Sequence, residues 1–175
     1  KTSSDYCFPH RLESFVLLQE ALERNPEDAK GWYYLGNFLY SRQQYDAAIQ
    51  AWEKSTDLDD SFPTVFRNLG LGYYNKKSDA ARARKAYETA YALDCSDARI
   101  LYELDQLYKK MACPLQHRKI FLEQHSDMLN QRDDLYIEYI WLLNQTGEYE
   151  KALKHLLIHN FHPWEGGEGK VTGAY

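Results

Sequence analysis

The chain has 175 residues and a formal net charge of −5, and 44% of its residues are apolar. This acidic balance argues against a nucleic-acid-binding protein, which needs a basic face, and no apolar run approaches the roughly 20 residues of a membrane span. The three cysteines lack the spacing of a disulfide framework, so they are predicted to be free thiols of a reducing compartment. We therefore expect a cytoplasmic protein that contacts neither nucleic acid nor membrane.

The N-terminal part is predicted to form an extension and one helix. Residues 1–10 are the extension, and the helix runs from about Arg11 to Arg24, ahead of a break at Pro26. Because the chain begins without methionine, a leader or a preceding domain is expected to have been removed.

Residues 29–62 have the pattern of two packed helices. Ala48 and Trp52 lie four residues apart on the second helix, and Gly36 belongs to a face of the first helix. Because Gly36 and Ala48 are small, the two helices can approach closely, and Trp32 and Trp52 are predicted to fill the space between one helix pair and the next. The residues that share the face of the first helix are Trp32, Leu35, Gly36 and Leu39.

The same pattern returns after 34 or 35 residues. Gly70 follows Gly36 at a spacing of 34, whereas Ala83 follows Ala48 at a spacing of 35. One residue has therefore been added between the two helices of the second copy. We place it in the turn 75–79, where an insertion is tolerated.

Two further copies follow, and the first of them is weaker. Asp105 stands where glycine is expected and His117 where a small residue is expected, although Phe121 keeps the aromatic place. A longer turn is predicted at 125–134. The fourth copy keeps its large residues at Tyr136, Tyr139, Leu143 and Leu156.

The spacing W-x2-L-G-x2-L, followed by A-x3-W, in residues 32–52 resembles the tetratricopeptide repeat (TPR) with one substitution in each half. The resemblance implies an all-α protein, a right-handed α-solenoid of antiparallel helix pairs. It makes residues 11–160 a repeat array, followed at 161–175 by a Gly-rich tail that is either a flexible end or the start of a further repeat. The predicted bounds are 11–28 for a partial repeat and 29–62, 63–97, 98–132 and 133–164 for complete repeats.

A second resemblance concerns the run from Phe161 to Gly173, together with Tyr6 to Arg11 and Asn68 to Tyr73. These segments are similar to bacterial TPR proteins in which the array follows an uncharacterised β-rich domain. The resemblance implies that the chain is the repeat region of a larger protein, and it implies no established activity.

The first helix of each pair lines the concave face of such a solenoid, which makes this face the predicted ligand groove. Tyrosine and tryptophan offer broad amphipathic contact area, and amide side chains can bond a peptide backbone. Arg67, Arg99, Lys109 and Lys110 favour an acidic segment or a terminal carboxylate as the ligand. The alternative is that these are solvated helix faces that bind nothing. The predicted groove residues are Tyr33, Asn37, Tyr40, Arg67, Tyr74, Tyr102, Gln106, Lys109 and Trp141.

Metal and phosphate sites are not expected. His155, His159 and His162 are spaced four and three residues apart, a spacing that can bring metal ligands together on a helix. However, His159 falls at a packing position and His162 lies beyond the predicted helix end. The Gly-rich run 166–170 lacks the phosphate-loop pattern, since Trp164 occupies its first glycine place. We predict no metal, no cofactor and no catalytic residue.

The predicted function is that of a non-catalytic protein-interaction scaffold, which holds a peptide or a neighbouring domain in its groove. The alternative is an accessory module of a larger carbohydrate-related enzyme, because aromatic faces also suit sugar rings and the chemistry could lie in another domain. Apolar faces at the ends of the array also predict end-to-end dimerisation.

Overall fold

The computed structural model describes Pro9, residues 11–164 and residues 166–174. All regular secondary structure in these residues is α-helical and none of it is strand, so the prediction of an all-α chain is confirmed. Apart from Pro9, the predicted N-terminal extension lies outside the described residues. Within the described part, no helix combines the length and the apolarity that crossing a bilayer requires.

The helices fall into two compact units, divided between Asp94 and Cys95. The first unit contains α1 (Leu12–Arg24), α2 (Ala29–Ser41), α3 (Tyr45–Leu58), α4 (Pro63–Lys77) and α5 (Ala80–Leu93). The second unit contains α6 (Ala98–Lys110), α7 (Leu115–Glu123), α8 (Ser126–Leu129), α9 (Asp133–Gln145), α10 (Tyr149–Ile158) and α11 (Lys170–Ala174).

In the first unit, α2 pairs with α3 and α4 pairs with α5, while α1 packs on α2 and α3 packs on α4. The side chains of Asp28 and Asp79 accept hydrogen bonds from backbone N–H groups in the first turns of α2 and α5. α4 begins with Pro63, whose missing N–H group has no partner to lose in a first turn. These local signals fix where the helices of each pair begin.

Gly36 is a point of very close approach within the α2–α3 pair. A Cβ atom at Gly36 would lie 2.4 Å from Cδ1 of Trp52, and a Cβ atom at Gly70 would lie 2.5 Å from Cδ2 of Tyr87. Both aromatic side chains are buried. The predicted role of the recurring glycines is therefore confirmed, since a ring from the second helix fills the space that a side chain would take.

The extra residue of the second repeat lengthens α4. This helix has 15 residues where α2 has 13, and it runs on to Lys77. Ser78 then adopts a left-handed conformation with φ 53°, which ends the helix, and Asp79 caps the next one. The prediction that the turn contains the extra residue is corrected accordingly. The turn between α4 and α5 is shorter than the turn between α2 and α3, and it is the helix α4 that is longer.

In the second unit, α6, α7 and α9 pack on one another, and both α10 and α11 pack on α9. α8 is a short helix in a stretch predicted to be a turn. The buried side chains of α7 are Arg118, Lys119 and Leu122, whereas His117 is exposed. Arg118 therefore occupies the place that Ala83 has 35 residues earlier, and the prediction for His117 is wrong by one residue.

Candidate functional site

Three of the five predicted groove residues in the first unit are buried. Tyr33 is 0% exposed, and its ring packs edge-on against Phe62 with 4.8 Å between the centroids. Asn37 and Arg67 are also buried. Neighbouring side chains cover all three, which corrects their predicted exposure on the groove surface.

The buried polar side chains of this unit bond to one another. Asn37 Oδ1 accepts hydrogen bonds from Trp52 Nε1 at 3.1 Å and from Asn68 Nδ2 at 2.9 Å. Arg67 Nη1 donates to Asn68 Oδ1 at 3.1 Å. The cluster joins α2, α3 and α4, so these side chains stabilise the packing of successive pairs.

Tyr40 and Tyr74 are the predicted residues of this unit that remain partly exposed. They stand 34 residues apart, at equivalent places near the ends of the two first helices. The ring of Tyr40 lies 5.0 Å from that of Tyr45, and Lys76 Nζ lies 3.9 Å from the Tyr45 centroid. Burial raises the pKa of Tyr40, although Lys76 lowers it, so the phenol stays neutral and can donate a hydrogen bond.

In the second unit, Tyr102, Gln106 and Lys109 lie on α6 with at least part of each side chain exposed. Burial, followed by the charge of Asp134, raises the pKa of Tyr102 to about 12. Arg132 lies 5.7 Å from the centre of this ring. The arrangement gives α6 a neutral aromatic side chain beside an amide and an ammonium group.

Beneath this surface lies a buried ion network. Arg118 binds Asp105 through two hydrogen bonds, Nε to Oδ1 at 3.0 Å and Nη2 to Oδ2 at 2.6 Å. The same Nη2 donates to Glu138 Oε1 at 2.9 Å, and Lys109 Nζ donates to that oxygen at 2.6 Å. Burial raises the pKa of Glu138, but the hydrogen bonds from Lys109 and Arg118 outweigh it and leave the pKa below its ordinary value. Asp105 thus replaces the expected glycine with a carboxyl group bound by Arg118, and burial, which outweighs the contacts of Arg118, leaves its pKa above the ordinary value.

Three of the four predicted groove cations bond neighbouring side chains within the chain. Arg67 is buried against Asn68, Arg99 Nε donates to Glu103 at 3.2 Å, and Lys109 bonds Glu138. These contacts reduce the positive charge that the sequence appeared to offer an acidic ligand.

Trp141, the remaining predicted groove residue, lies on α9 beneath α11. A Cβ atom at Gly173 would lie 3.2 Å from Cζ2 of Trp141. Asn144 Nδ2 donates to the backbone oxygen of Ala174 at 2.6 Å, and Ala174 is buried. Trp141 is the ninth residue of α9, and Asn37 is the ninth residue of α2. The contact of Trp141 with α11 therefore uses the same position in the helix as the contact of Asn37 with α4.

The three histidines bond to side chains of α9, and two of them share Asp133. His155 Nδ1 lies 2.8 Å from the Tyr136 hydroxyl, whereas His159 Nε2 lies 2.6 Å from Asp133 Oδ1. Asp133 Oδ2 also accepts a hydrogen bond from the backbone N–H of His162 at 2.8 Å. Within the described residues, no group of three or more His, Cys, Asp and Glu side chains is arranged to hold a metal ion. Asp133 instead anchors the segment that follows α10.

Replacing Asp133 by asparagine is expected to loosen this segment. Burial raises the pKa of Asp133, but the contacts of His159 and His162 outweigh it and leave the pKa lowered. The contacts of the Asp133 carboxylate therefore stabilise the folded chain fully above about pH 3.9, the pKa of aspartate in the unfolded chain. This stabilisation is lost as the pH falls through the lower pKa of Asp133 in the folded chain. At neutral pH, hydrogen–deuterium exchange at 159–164 should be faster in Asp133→Asn, with about 1–2 kcal/mol less protection. Asp134→Asn, whose partner is Arg132, is the control. Equal exchange in the wild type and Asp133→Asn would contradict the anchoring role.

Two family models match part of the chain. One, described as TPR repeat, matches residues 36–77, and the other, described as tetratricopeptide repeat, matches residues 17–50. The chain therefore carries tetratricopeptide repeats, as its glycine and aromatic spacing predicts. The β-rich domain implied by the second resemblance stays a prediction.

The chain corresponds to a small part of the curated relatives that it matches. Tetratricopeptide repeat protein 37 of Xenopus laevis is 37% identical over 87 residues, which are 47% of this chain and 6% of that protein. Cytochrome c-type biogenesis protein CycH of Bradyrhizobium diazoefficiens is 29% identical over 96 residues, which are 53% of this chain and 26% of that protein.

Solved structures resemble most of the chain. YrrB, described as a TPR protein with an unusual peptide-binding site, has a TM-score of 0.69 at 20% identity and matches over 90% of this chain and 74% of its own. MamA has a TM-score of 0.68 at 17% identity, over 91% of this chain and 85% of its own. At these identities the likeness shows the fold, and the predicted α-solenoid of TPR-type helix pairs is confirmed.

Proposed function

We propose, from the tetratricopeptide repeats that the chain carries, that it is a non-catalytic scaffold that binds a segment of a partner protein on its first helices. Repeats of this family generally mediate protein interaction. The binding residues in this proposal are the accessible members of the predicted groove. They are Tyr40 and Tyr74 in the first unit and, separately, Tyr102, Gln106, Lys109 and Trp141 in the second.

The observation that carries the proposal is the recurrence of a partly exposed tyrosine at one helix place. Tyr40 and Tyr74 occupy this place on α2 and α4, 34 residues apart. Tyrosine is enriched at protein interfaces because its ring packs against apolar groups while its hydroxyl bonds polar ones. A partner segment can therefore contact the two helices in the same way, one after the other.

The chemistry of the ligand follows from the neighbours of these tyrosines. Three of the four cations that favoured an acidic segment are engaged with Asn68, Glu103 and Glu138, so these three contribute little charge to recognition. We propose a peptide whose apolar side chains pack on the tyrosine rings and whose backbone bonds the hydroxyl and amide groups. YrrB, which has the same fold, is described as having a peptide-binding site, and this supports the proposal.

A displayed library of random peptides, selected against the full 175-residue chain, supplies the probe. The enriched peptides are then synthesised and measured by isothermal titration calorimetry. We expect Tyr74→Ala to weaken the affinity at least about tenfold, which is roughly 1.4 kcal/mol, because the contact area of the ring is lost. Tyr40→Ala should act in the same direction.

Tyr149→Ala is the matched control, since Tyr149 is an exposed tyrosine on the second helix of a pair. The Tyr149→Ala variant should bind the same peptides with the affinity of the wild type. Equal losses in Tyr74→Ala and Tyr149→Ala would overturn the proposed site, as would the absence of any enriched peptide. Binding of oligosaccharides, but no peptide, at Tyr74 would support the carbohydrate-related alternative instead. The predicted end-to-end association concerns the apolar faces at the ends of the array, and neither Tyr40 nor Tyr74 was predicted to take part in it.

A further inference from the structure

The ammonium group of Lys76, in the first unit, lies on aromatic rings and not beside a carboxylate. Lys76 is exposed and belongs to the last turn of α4. Its Nζ atom lies 3.9 Å from the centroid of the Tyr45 ring and 6.0 Å from that of Tyr40. Among the residues that the structure describes, no carboxylate forms an ion pair with it. A cation–π contact positions an ammonium group but leaves N–H donors for a further partner.

The carboxylates closest to this place along the chain are engaged with other cations. Asp46 binds Nζ of Lys77 at 2.6 Å, although Lys77 directly follows Lys76. Asp79 lies three residues after Lys76, but it binds Nε of Arg82 at 2.7 Å and caps α5. Neither carboxylate therefore serves the ammonium group of Lys76.

The surroundings of Tyr40 are positive, although the whole chain has a net charge of −5. Lys76 and Arg67 both lower the pKa of the Tyr40 hydroxyl, as positive charges do, and no carboxylate of the described residues acts on it. Arg42 adds a further positive charge two residues later, where it lies over the ring of Phe38 at 5.3 Å. This end of α2 and α4 is therefore complementary to an anion.

We propose that the partner segment presents a carboxylate to Lys76, so that this lysine determines which segments bind. The hydroxyl of Tyr40 can donate a hydrogen bond to the same segment. The carboxylate comes from an aspartate or glutamate side chain or from the end of the segment, and the experiment below separates these two sources. The inference rests on the proposed function, because the segment must already lie on Tyr40 and Tyr74, and it adds one charged contact to that site.

Parallel selections from one library of short random peptides test the proposal. Peptides selected on the wild-type chain should be enriched in Asp and Glu at one place, and on Lys76→Met this enrichment should fall at least about threefold. Lys85→Met is the control, because Lys85 is an exposed lysine on the second helix of the same pair, and it should select like the wild type. Circular dichroism checks that both variants remain helical.

The source of the carboxylate follows from the form of the library. With the C-termini blocked, an enrichment in Asp and Glu shows that a side chain supplies the carboxylate. Peptides that bind only with a free C-terminus, and only when Lys76 is present, would assign it to the end of the segment. Both results support the role of Lys76.

Calorimetry with one selected peptide measures the contact itself. Replacing its acid by the corresponding amide should weaken binding to the wild-type chain about three- to tenfold and binding to Lys76→Met hardly at all. Salt should weaken the binding of the acidic peptide more than that of the amide peptide, because it screens the charge of Lys76.

The results also separate this inference from the proposed function. Peptides that bind through Tyr74 without a preference for an acid would overturn the role of Lys76 and leave the scaffold function standing. An equal preference for acids on the wild type and Lys76→Met would do the same. A chain that selects no peptide at all would overturn the proposed function, and this inference with it.

Discussion

Methionine in place of Arg118 is expected to lower the free energy of unfolding by about 3–5 kcal/mol, because it leaves the buried carboxylate of Asp105 without a cation and with only the 3.4 Å hydrogen bond from Gln106. Asp105 is 0% exposed and loses both of its hydrogen bonds from the guanidinium group. Glu138 keeps Lys109 but loses its second donor. Urea denaturation, followed by circular dichroism, measures the loss through the midpoint and the slope.

Two further variants separate the ion network from simple loss of volume. The double variant Arg118→Met with Asp105→Leu replaces the ion pair by apolar side chains and should recover most of the stability. Arg99→Met removes the exposed pair with Glu103, which contributes at most about 1 kcal/mol. An Arg118→Met chain that unfolds at the wild-type midpoint would show that the network does not stabilise the fold.

Alanine in place of Gly36 is expected to destabilise the chain even though alanine is the better helix former. Overpacking typically costs about 1–3 kcal/mol, whereas alanine gains about 1 kcal/mol over glycine in a helix. The added Cβ atom would lie 2.4 Å from the ring of Trp52, which is fully buried and has no free space to move into. We therefore expect a net loss of about 1–2 kcal/mol in denaturant unfolding, near the upper end of that difference.

A double-mutant cycle with Trp52→Leu tests the cause. Once the indole ring is removed, Gly36→Ala should become neutral or stabilising, because only the gain in helix propensity remains. Additive effects of the two changes would mean that the clash is not the reason for the loss. Gly70→Ala, which meets Tyr87 in the second repeat, should reproduce the result.

The sequence predicts the fold well because packing within each pair depends on a few local residues. A glycine and a ring recur at nearly constant spacing, and the structure brings Gly36 against Trp52 and Gly70 against Tyr87. The orientation of α7 was harder to predict, since spacings of both 34 and 35 occur in the first two repeats. The spacing of 35 from Ala83 leads to Arg118, but an arginine is a poor candidate for a place that holds a small residue.

The exposure of the groove residues is predicted less well than the fold, because the side chains that cover a residue can lie far from it in the sequence. Tyr33 and Asn37 have the helix places of groove residues, but Phe62 and Asn68 cover them. The sequence gives no sign of these contacts, since the partners lie 29 and 31 residues away. Tyr40 stays partly exposed at a similar place because it lies near the end of its helix.

The ion network of the second unit also restricts how the array can evolve. Arg118 belongs to one repeat, and its second carboxylate, on Glu138, belongs to the next. Moving the repeat that contains Arg118 in front of a repeat such as the second, which has Asn68 at the place of Glu138, would leave Arg118 with one carboxylate. Duplication would keep an acid there, because Glu103 stands at the same place of α6, 35 residues before Glu138. A rearranged array is therefore expected to keep its stability only where the repeat that follows Arg118 presents an acid at this place of its first helix.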